Sequence, residues 1–180
     1  GDVYKRQLTN NSSRAGTDYI TRLRRLGFPC EAENVFTSGM ATALYLNQHY
    51  AGKPVYLVGT QAFRRELLSY GIPLVDDGAE IVVAGFDTEL VYEKLDKAVH
   101  FLRRGATFIA ANPDWVCPTA CGFVPDCGSV CEMLWRATSR RPIVIGKPEP
   151  LMPQLAMLEA SVSAQETLLV GDRIYTDIAS

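Results

Sequence analysis

The sequence predicts an α/β fold, and two observations predict it. Strand-length apolar runs alternate with helical patterns: Val55-Tyr56-Leu57-Val58, Glu80-Ile81-Val82-Val83-Ala84, Thr107-Phe108-Ile109-Ala110-Ala111, Ile143-Val144-Ile145 and Thr167-Leu168-Leu169-Val170. That alternation is the signature of a parallel sheet. The last two runs lead into charged residues, Lys147 and Asp172, at the strand ends where open α/β sheets bind ligands.

Taken in order, Leu8-Thr9-Asn10-Asn11-Ser12-Ser13 is a hydroxyl-and-amide cluster opening a helix that runs to Leu26. Tyr19, Ile20, Leu23 and Leu26 recur at helical spacing, Arg22, Arg24 and Arg25 take the wet side, and Gly27 ends the helix. Residues 35–39 form a short strand or extended turn into a helix over 40–49, capped by Thr37 or Ser38. The break Ala51-Gly52-Lys53-Pro54 is read as a domain boundary. A second series follows: a strand at 55–58, a helix over 61–70 ended by Gly71, a strand at 80–84 with Gly85-Phe86-Asp87 at its tip, a helix over 91–104 and a strand at 107–111. A Pro- and Cys-rich loop over 112–126 precedes a helix over 128–138, and Ser139-Arg140-Arg141-Pro142 returns the chain to Ile143. One continuous sheet across Gly52 is the alternative organisation.

Composition removes several classes of function. An apolar fraction of 47% with 21% charge is that of an ordinary globular protein. A net charge of −2 lacks the basic footprint of a nucleic-acid binder. No apolar run reaches the roughly 18 residues of a membrane span. Neither nucleic acid nor membrane is therefore an expected partner, and the cytoplasm is the default location. His49 and His100 sit on helices without an Asp–Ser context, so a Ser-His-Asp triad has no support.

Chemistry concentrates in three stretches. In Val170-Gly171-Asp172-Arg173-Ile174-Tyr175-Thr176-Asp177-Ile178-Ala179, Asp172 follows the strand, and its carboxylate on a turn suits a hard cation such as Mg²⁺. In Gly146-Lys147-Pro148-Glu149-Pro150, the prolines suit the first turn of a helix. A lysine at a helix start opposes the helix dipole, which makes sense if an anion is held there. In the stretch from Leu8 to Ser13, hydroxyls and backbone N–H groups at a helix start form a phosphate cradle. Turn and capping roles remain open for the aspartates, as N-capping does for Ser12 and Ser13. The five cysteines place Cys30 alone and Cys117, Cys121, Cys127 and Cys131 together. The spacing leaves a zinc site open against buried or loop thiols, with five residues between the pairs short for two knuckles.

Leu-Thr-Asn-Asn-Ser-Ser, Gly-Lys-Pro-Glu-Pro and Gly-Asp-Arg-Ile-Tyr-Thr-Asp-Ile occur here in the order of the second, third and fourth motifs of the haloacid dehalogenase superfamily. The resemblance covers residues 8–179, and its nearest branch is type IIA, which includes para-nitrophenylphosphatase, pyridoxal phosphatase, phosphoglycolate phosphatase and ribonucleotide monophosphatase. It implies a partial doubly wound, Rossmann-like parallel-sheet core with an inserted α/β cap. The core would take residues 8–52 and 142–180, and the cap residues 53–141. The family's DxDGT motif, which carries the nucleophilic aspartate, is absent from the sequence. The chain is accordingly expected to be an internal fragment, inactive by itself, with residues 1–7 a leader not native to the gene.

The implied reaction is hydrolysis of small phosphorylated metabolites through an aspartyl-phosphate. The resemblance assigns Mg²⁺ to Asp172, and catalytic roles to Lys147, Thr9 and Asp177, the last orienting Lys147 or a metal-bound water. Phosphate or substrate would meet Thr9, Asn10, Asn11, Lys147, Asn112 and Asp114. Asn112-Pro113-Asp114 is similar to the branch's substrate loop, and Gly85-Phe86-Asp87 to another cap turn. Trp115 would either stack on a ring-bearing substrate or, as expected here, plug the cap core. The cap would also pair as a homodimer. A non-catalytic phosphate-binding module and a Cys-rich zinc domain are the alternatives.

Overall fold

The computed structural model describes residues 4–180. Four parallel strands, β3 (Val55–Val58), β4 (Ile81–Ala84), β5 (Thr107–Ala110) and β8 (Ile143–Val144), form the main sheet in the order β3-β4-β5-β8. A separate parallel pair is made by β1 (Gln7–Thr9) and β2 (Val35–Thr37), with Thr9 opposite Thr37. A short antiparallel hairpin, β6 (Val116–Thr119) and β7 (Gly122–Pro125), projects from the loop after β5. The expectation of an α/β, parallel-sheet architecture holds. The hairpin was not legible, because Cys-Pro-Thr-Ala-Cys-Gly lacks the alternating apolar pattern of a strand pair.

Side-chain alternation explains how the sheet is covered. Val55, Leu57, Ile81, Val83 and Ile109 enter one buried cluster, and Tyr56, Val58, Val82, Ala84, Phe108 and Ala110 enter the other, as the period of two requires. The first cluster takes in Phe36 of β2, α2 (Ser38–His49), α3 (Gln61–Ser69) and α6 (Leu151–Ala160). The second takes in α4 (Tyr92–Arg103) and α5 (Cys127–Thr138). α3 lies on the opposite face from α4 because the chain leaves it to bridge Leu74 to Val55 on the outer edge of β3 before crossing to β4. Right-handed crossovers in opposite directions along a sheet put their helices on opposite faces.

Several expectations need correction. α1 spans Gly16–Arg25, so Asn10 to Arg14 form a loop and Ser12 and Ser13 cap nothing; the cap is Ala15, whose N–H donates to Asp18. Gln7 lies in β1, and Arg6 stacks on Phe36 and bonds to the Ala156 carbonyl; residues 1–3 lie outside the described residues. β8, at residues 143–144, pairs in parallel with β5. Most telling, residues 167–170 form no strand, and Leu168 and Val170 are 85% and 80% exposed. An extended run needs a ladder partner to be stable, and among the described residues none pairs with it. Trp115, expected in the cap core, is 59% exposed. His49 and His100 are exposed, as expected.

Candidate active site

Strand ends converge on one place. β1 delivers Thr9 and Asn10, β5 delivers Asn112 and Asp114, and β8 delivers Gly146 and Lys147. Their link is the Asn10 amide, whose Oδ1 accepts the Lys147 N–H at 2.9 Å while Nδ2 donates to the Lys147 carbonyl at 2.8 Å and to Asp114 Oδ2 at 2.9 Å. Asn112 continues the chain, its Nδ2 donating to Asp114 Oδ2 at 2.9 Å and to Asp126 Oδ1 at 3.0 Å. Gly146 permits this closeness. A Cβ there would lie 2.7 Å from the Ala111 carbonyl oxygen and 2.8 Å from Asn10 Oδ1. The Lys147–Pro148 peptide is cis.

The Lys147 side chain is buried and donates to Asp177, and its Nζ lies 3.5 Å from the Leu8 carbonyl oxygen, one residue before Thr9. Burial raises the Asp177 carboxyl, but the hydrogen bond and charge of Lys147, helped by the Arg173 N–H and guanidinium, outweigh it and hold the group below the usual carboxylate range. Asp177 sits in a short π-helical turn, Ile174–Ile178, and its other oxygen accepts the Arg173 N–H at 3.2 Å. Gly171 packs directly against the Asp177 carboxylate, and Asp172, the next residue, is solvent-exposed.

The polar loop is tied down by its own side chains. Thr9 Oγ1 accepts the Asn11 N–H at 3.2 Å, and Asn11 Oδ1 accepts both the N–H and hydroxyl of Ser13. Ser12 is fully buried, accepting the Phe86 N–H at 2.8 Å and reaching Asn112 Oδ1 at 3.5 Å, which joins the loop to the tip of β4. Tyr19 lies beside Thr9; burial pushes its phenol up, opposed by the Thr9 hydroxyl and by Arg14 and Arg22. Asp87 pairs instead with Lys94, at 2.7 Å.

Sequence reasoning singled out Asn10, Lys147, Asp177, Asn112 and Asp114, which hydrogen bonds link here in two groups through Lys147. It also singled out Thr9 and Asn11, which flank Asn10, and Asp172, which no hydrogen bond joins to them among the described residues. It missed Asp126, buried and at the N-cap of α5, as well as Tyr19 and Arg173. Only Asp126 had a readable signal, because an aspartate directly before a helix is a strong capping choice. Among the described residues, no three His, Cys, Asp or Glu side chains gather into a group that could hold a metal unaided. Cys127 and Cys131 are buried, and Cys117 and Cys121 lie on the hairpin, which leaves the zinc-domain alternative without a donor set. Mg²⁺ has smaller needs, since it keeps several waters and takes one or two carboxylates plus phosphate oxygens. An exposed carboxylate such as Asp172, close before the turn that carries Asp177, is the kind of ligand that pattern uses.

Residues 6–73 match the family model for haloacid dehalogenase-like hydrolases, and residues 144–180 a second model for HAD-hydrolase-like proteins. Curated relatives include the 5′-nucleotidase YutF of Bacillus subtilis, 36% identical over 95% of this chain and 67% of its own length. The ribonucleotide monophosphatase NagD of Escherichia coli is 34% identical, with the same coverage. An acid sugar phosphatase of Staphylococcus saprophyticus is also 34% identical, over 96% of this chain and 67% of its own. Among solved structures, the 4-nitrophenylphosphatase of Thermotoga maritima superposes with a TM-score of 0.92 at 37% identity, covering 96% of this chain and 66% of that one. The chain thus spans about two thirds of the length of these relatives.

Proposed function

The chain belongs to the haloacid dehalogenase-like hydrolases, in the branch of the phosphatases it matches, and from that premise we propose that its site binds the phosphoryl group of small phosphorylated metabolites for hydrolysis. The observation that carries the reading is the buried Lys147 ammonium, one residue's carbonyl away from Thr9 and braced by Asp177. A buried ammonium with one carboxylate partner attracts a second anion, and fixed charge at a dry site stabilises developing phosphoryl charge.

In this reading Thr9 and the backbone at Asn10 hold phosphate oxygens, with Asn11 nearby, its N–H given to Thr9. The Asn10 side chain does a different job, since both its ends are committed to Lys147 and Asp114. Asp177 orients Lys147, while Asn112 and Asp114 face the leaving group. Mg²⁺, taking Asp172 among its ligands, would supply Lewis-acid charge neutralisation when bound. The attacking carboxylate of an aspartyl-phosphate route is assigned to a residue outside these 180, since no DxDGT occurs among them. Residues 53–141 are read as the cap, which would choose the substrate and pair two copies.

Calorimetric titration with inorganic phosphate in the presence of Mg²⁺ tests the core of this reading. Saturable binding that Lys147→Ala weakens by about tenfold or more is the expected result, a charged hydrogen bond being worth that much. Equal binding by the wild type and Lys147→Ala would overturn it.

A further inference from the structure

The relation of Asp126 to the rest of the site is unusual for a capping residue. It is 5% exposed. Its Oδ1 is saturated, accepting the Cys127 N–H at 2.5 Å and the Asn112 amide at 3.0 Å. Its Oδ2 takes no hydrogen bond among the described residues. Yet Oδ2 is not sealed away, because the one sealed side-chain polar atom without a partner among those residues is Arg6 Nε. Oδ2 therefore keeps a sliver of solvent contact in an otherwise buried carboxylate.

That oxygen is tied to the end of the molecule proposed above to bind phosphate. An unbroken hydrogen-bonded path runs from the Lys147 peptide through Asn10, Asp114 and Asn112 to Asp126. Burial pushes the Asp126 carboxyl up; the Asn112 amide and the Cys127 N–H oppose this, the Asp114 charge adds to it, and the Arg173 charge lowers it. Asp114 and Arg173 are thus the charged groups that Asp126 feels.

We propose that Asp126 is a specificity-determining residue whose free Oδ2, together with Asp114, accepts hydrogen bonds from hydroxyl groups on the leaving group of a polyhydroxylated phosphate ester. A nearly buried carboxylate oxygen is thinly hydrated, so a substrate hydroxyl that donates to it replaces the lost water, whereas a ligand that covers it without a donor leaves it unsatisfied. Hydroxyls suit Oδ2 better than a cation, because Arg173 already supplies positive charge to Asp126. The two carboxylates would repel a phosphate, which leaves them the far side of the ester. The proposal rests on the phosphoryl-binding reading of Lys147 and Thr9 and adds the chemistry of the other half of the substrate.

The test compares two esters of equal carbon count, glucose 6-phosphate and hexyl phosphate, by calorimetry on the full 180-residue chain, with inorganic phosphate as reference. Glucose 6-phosphate should bind about tenfold tighter than hexyl phosphate, the worth of one hydrogen bond to a charged group. Asp126→Ser, which keeps an N-capping hydroxyl but has no second oxygen, should bring the two esters within about threefold of each other. Asp126→Asn, which keeps the cap and turns the free acceptor into a donor, should cut the preference by at least about threefold, and it decides the matter if the serine variant does not fold. A preference that survives in the folded variants, or a wild type that binds phosphate but does not distinguish the esters, overturns the role of Asp126 alone. A wild type that binds no phosphate overturns the phosphoryl-binding reading and this proposal together.

Discussion

Asn10 grips the Lys147 peptide from both sides, its Oδ1 taking the N–H at 2.9 Å and its Nδ2 giving to the carbonyl at 2.8 Å across 137 residues of sequence. One amide thereby fixes the third motif against the second. Asn10→Ala leaves both main-chain groups and Asp114 without this partner. It should cost about 1–3 kcal/mol in urea unfolding, the penalty of unsatisfied part-buried groups, and weaken phosphate binding because Lys147 is no longer aimed.

Gly146 stands where any side chain meets the Ala111 carbonyl oxygen and the Asn10 amide. Gly146→Ala should destabilise the fold by about 1–3 kcal/mol through overpacking against backbone that cannot yield. A variant as stable as the wild type in a urea melt would show that the strand ends separate easily.

Asp177 has a carboxyl held below its ordinary value by Lys147 and Arg173 against the opposing effect of burial. A folded value below the unfolded one, near 3.9, means the carboxylate contributes stability that is fully present above that pH. The contribution is lost as pH falls through the lower folded value. Asp177→Asn should cost about 2 kcal/mol at pH 7, leaving Lys147 buried without its counter-charge. Its unfolding midpoint should then fall less steeply than the wild type's below pH 4, which acid titration followed by circular dichroism would read.

Glu66 behaves with the opposite sign. It is 6% exposed, accepts the Gly16 N–H at 2.7 Å and the Thr37 hydroxyl at 2.7 Å, and has no cation against it among the described residues. Burial raises its carboxyl above the ordinary value, more than those two hydrogen bonds lower it. The folded state then holds its proton to higher pH than the unfolded state, so stability declines as pH rises from about 4.5 through the raised value. Glu66→Gln should remove that decline, and melting temperatures from pH 4 to 7 would show a flatter profile for the variant.

Turnover is expected to be absent from this chain alone, because no carboxylate of a DxDGT motif is present among its residues. Hydrolysis of 4-nitrophenyl phosphate should run no faster than in buffer. Mg²⁺-dependent release of nitrophenolate that Asp172→Asn abolishes would mean that some residue of the chain serves as nucleophile.

Much of this was readable from residue order. The strands at 55–58, 81–84 and 107–110 could be read because long apolar runs between helical patterns admit few other fates, and Thr37 announced its helix as a capping residue, its hydroxyl accepting the Met40 N–H at 2.9 Å. The site residues could be read because polar groups at strand ends are costly unless they have work to do. What escaped were features that depend on a partner elsewhere. The run at 167–170 has strand composition but no neighbour, and composition cannot supply a ladder. Asp126 joins the site only through Asn112, fourteen residues earlier, a contact that no local pattern encodes.

The two tryptophans differ in a way that makes the molecule report on itself. Trp135 is sandwiched by the guanidinium groups of Arg136 and Arg141, 4.1 Å and 3.5 Å from the ring, whereas Trp115 stands in solvent immediately after Asp114. Acrylamide should therefore quench the emission of one indole well before the other. The quenchable fraction offers a label-free optical gauge of whether the 112–115 loop is covered when a ligand arrives.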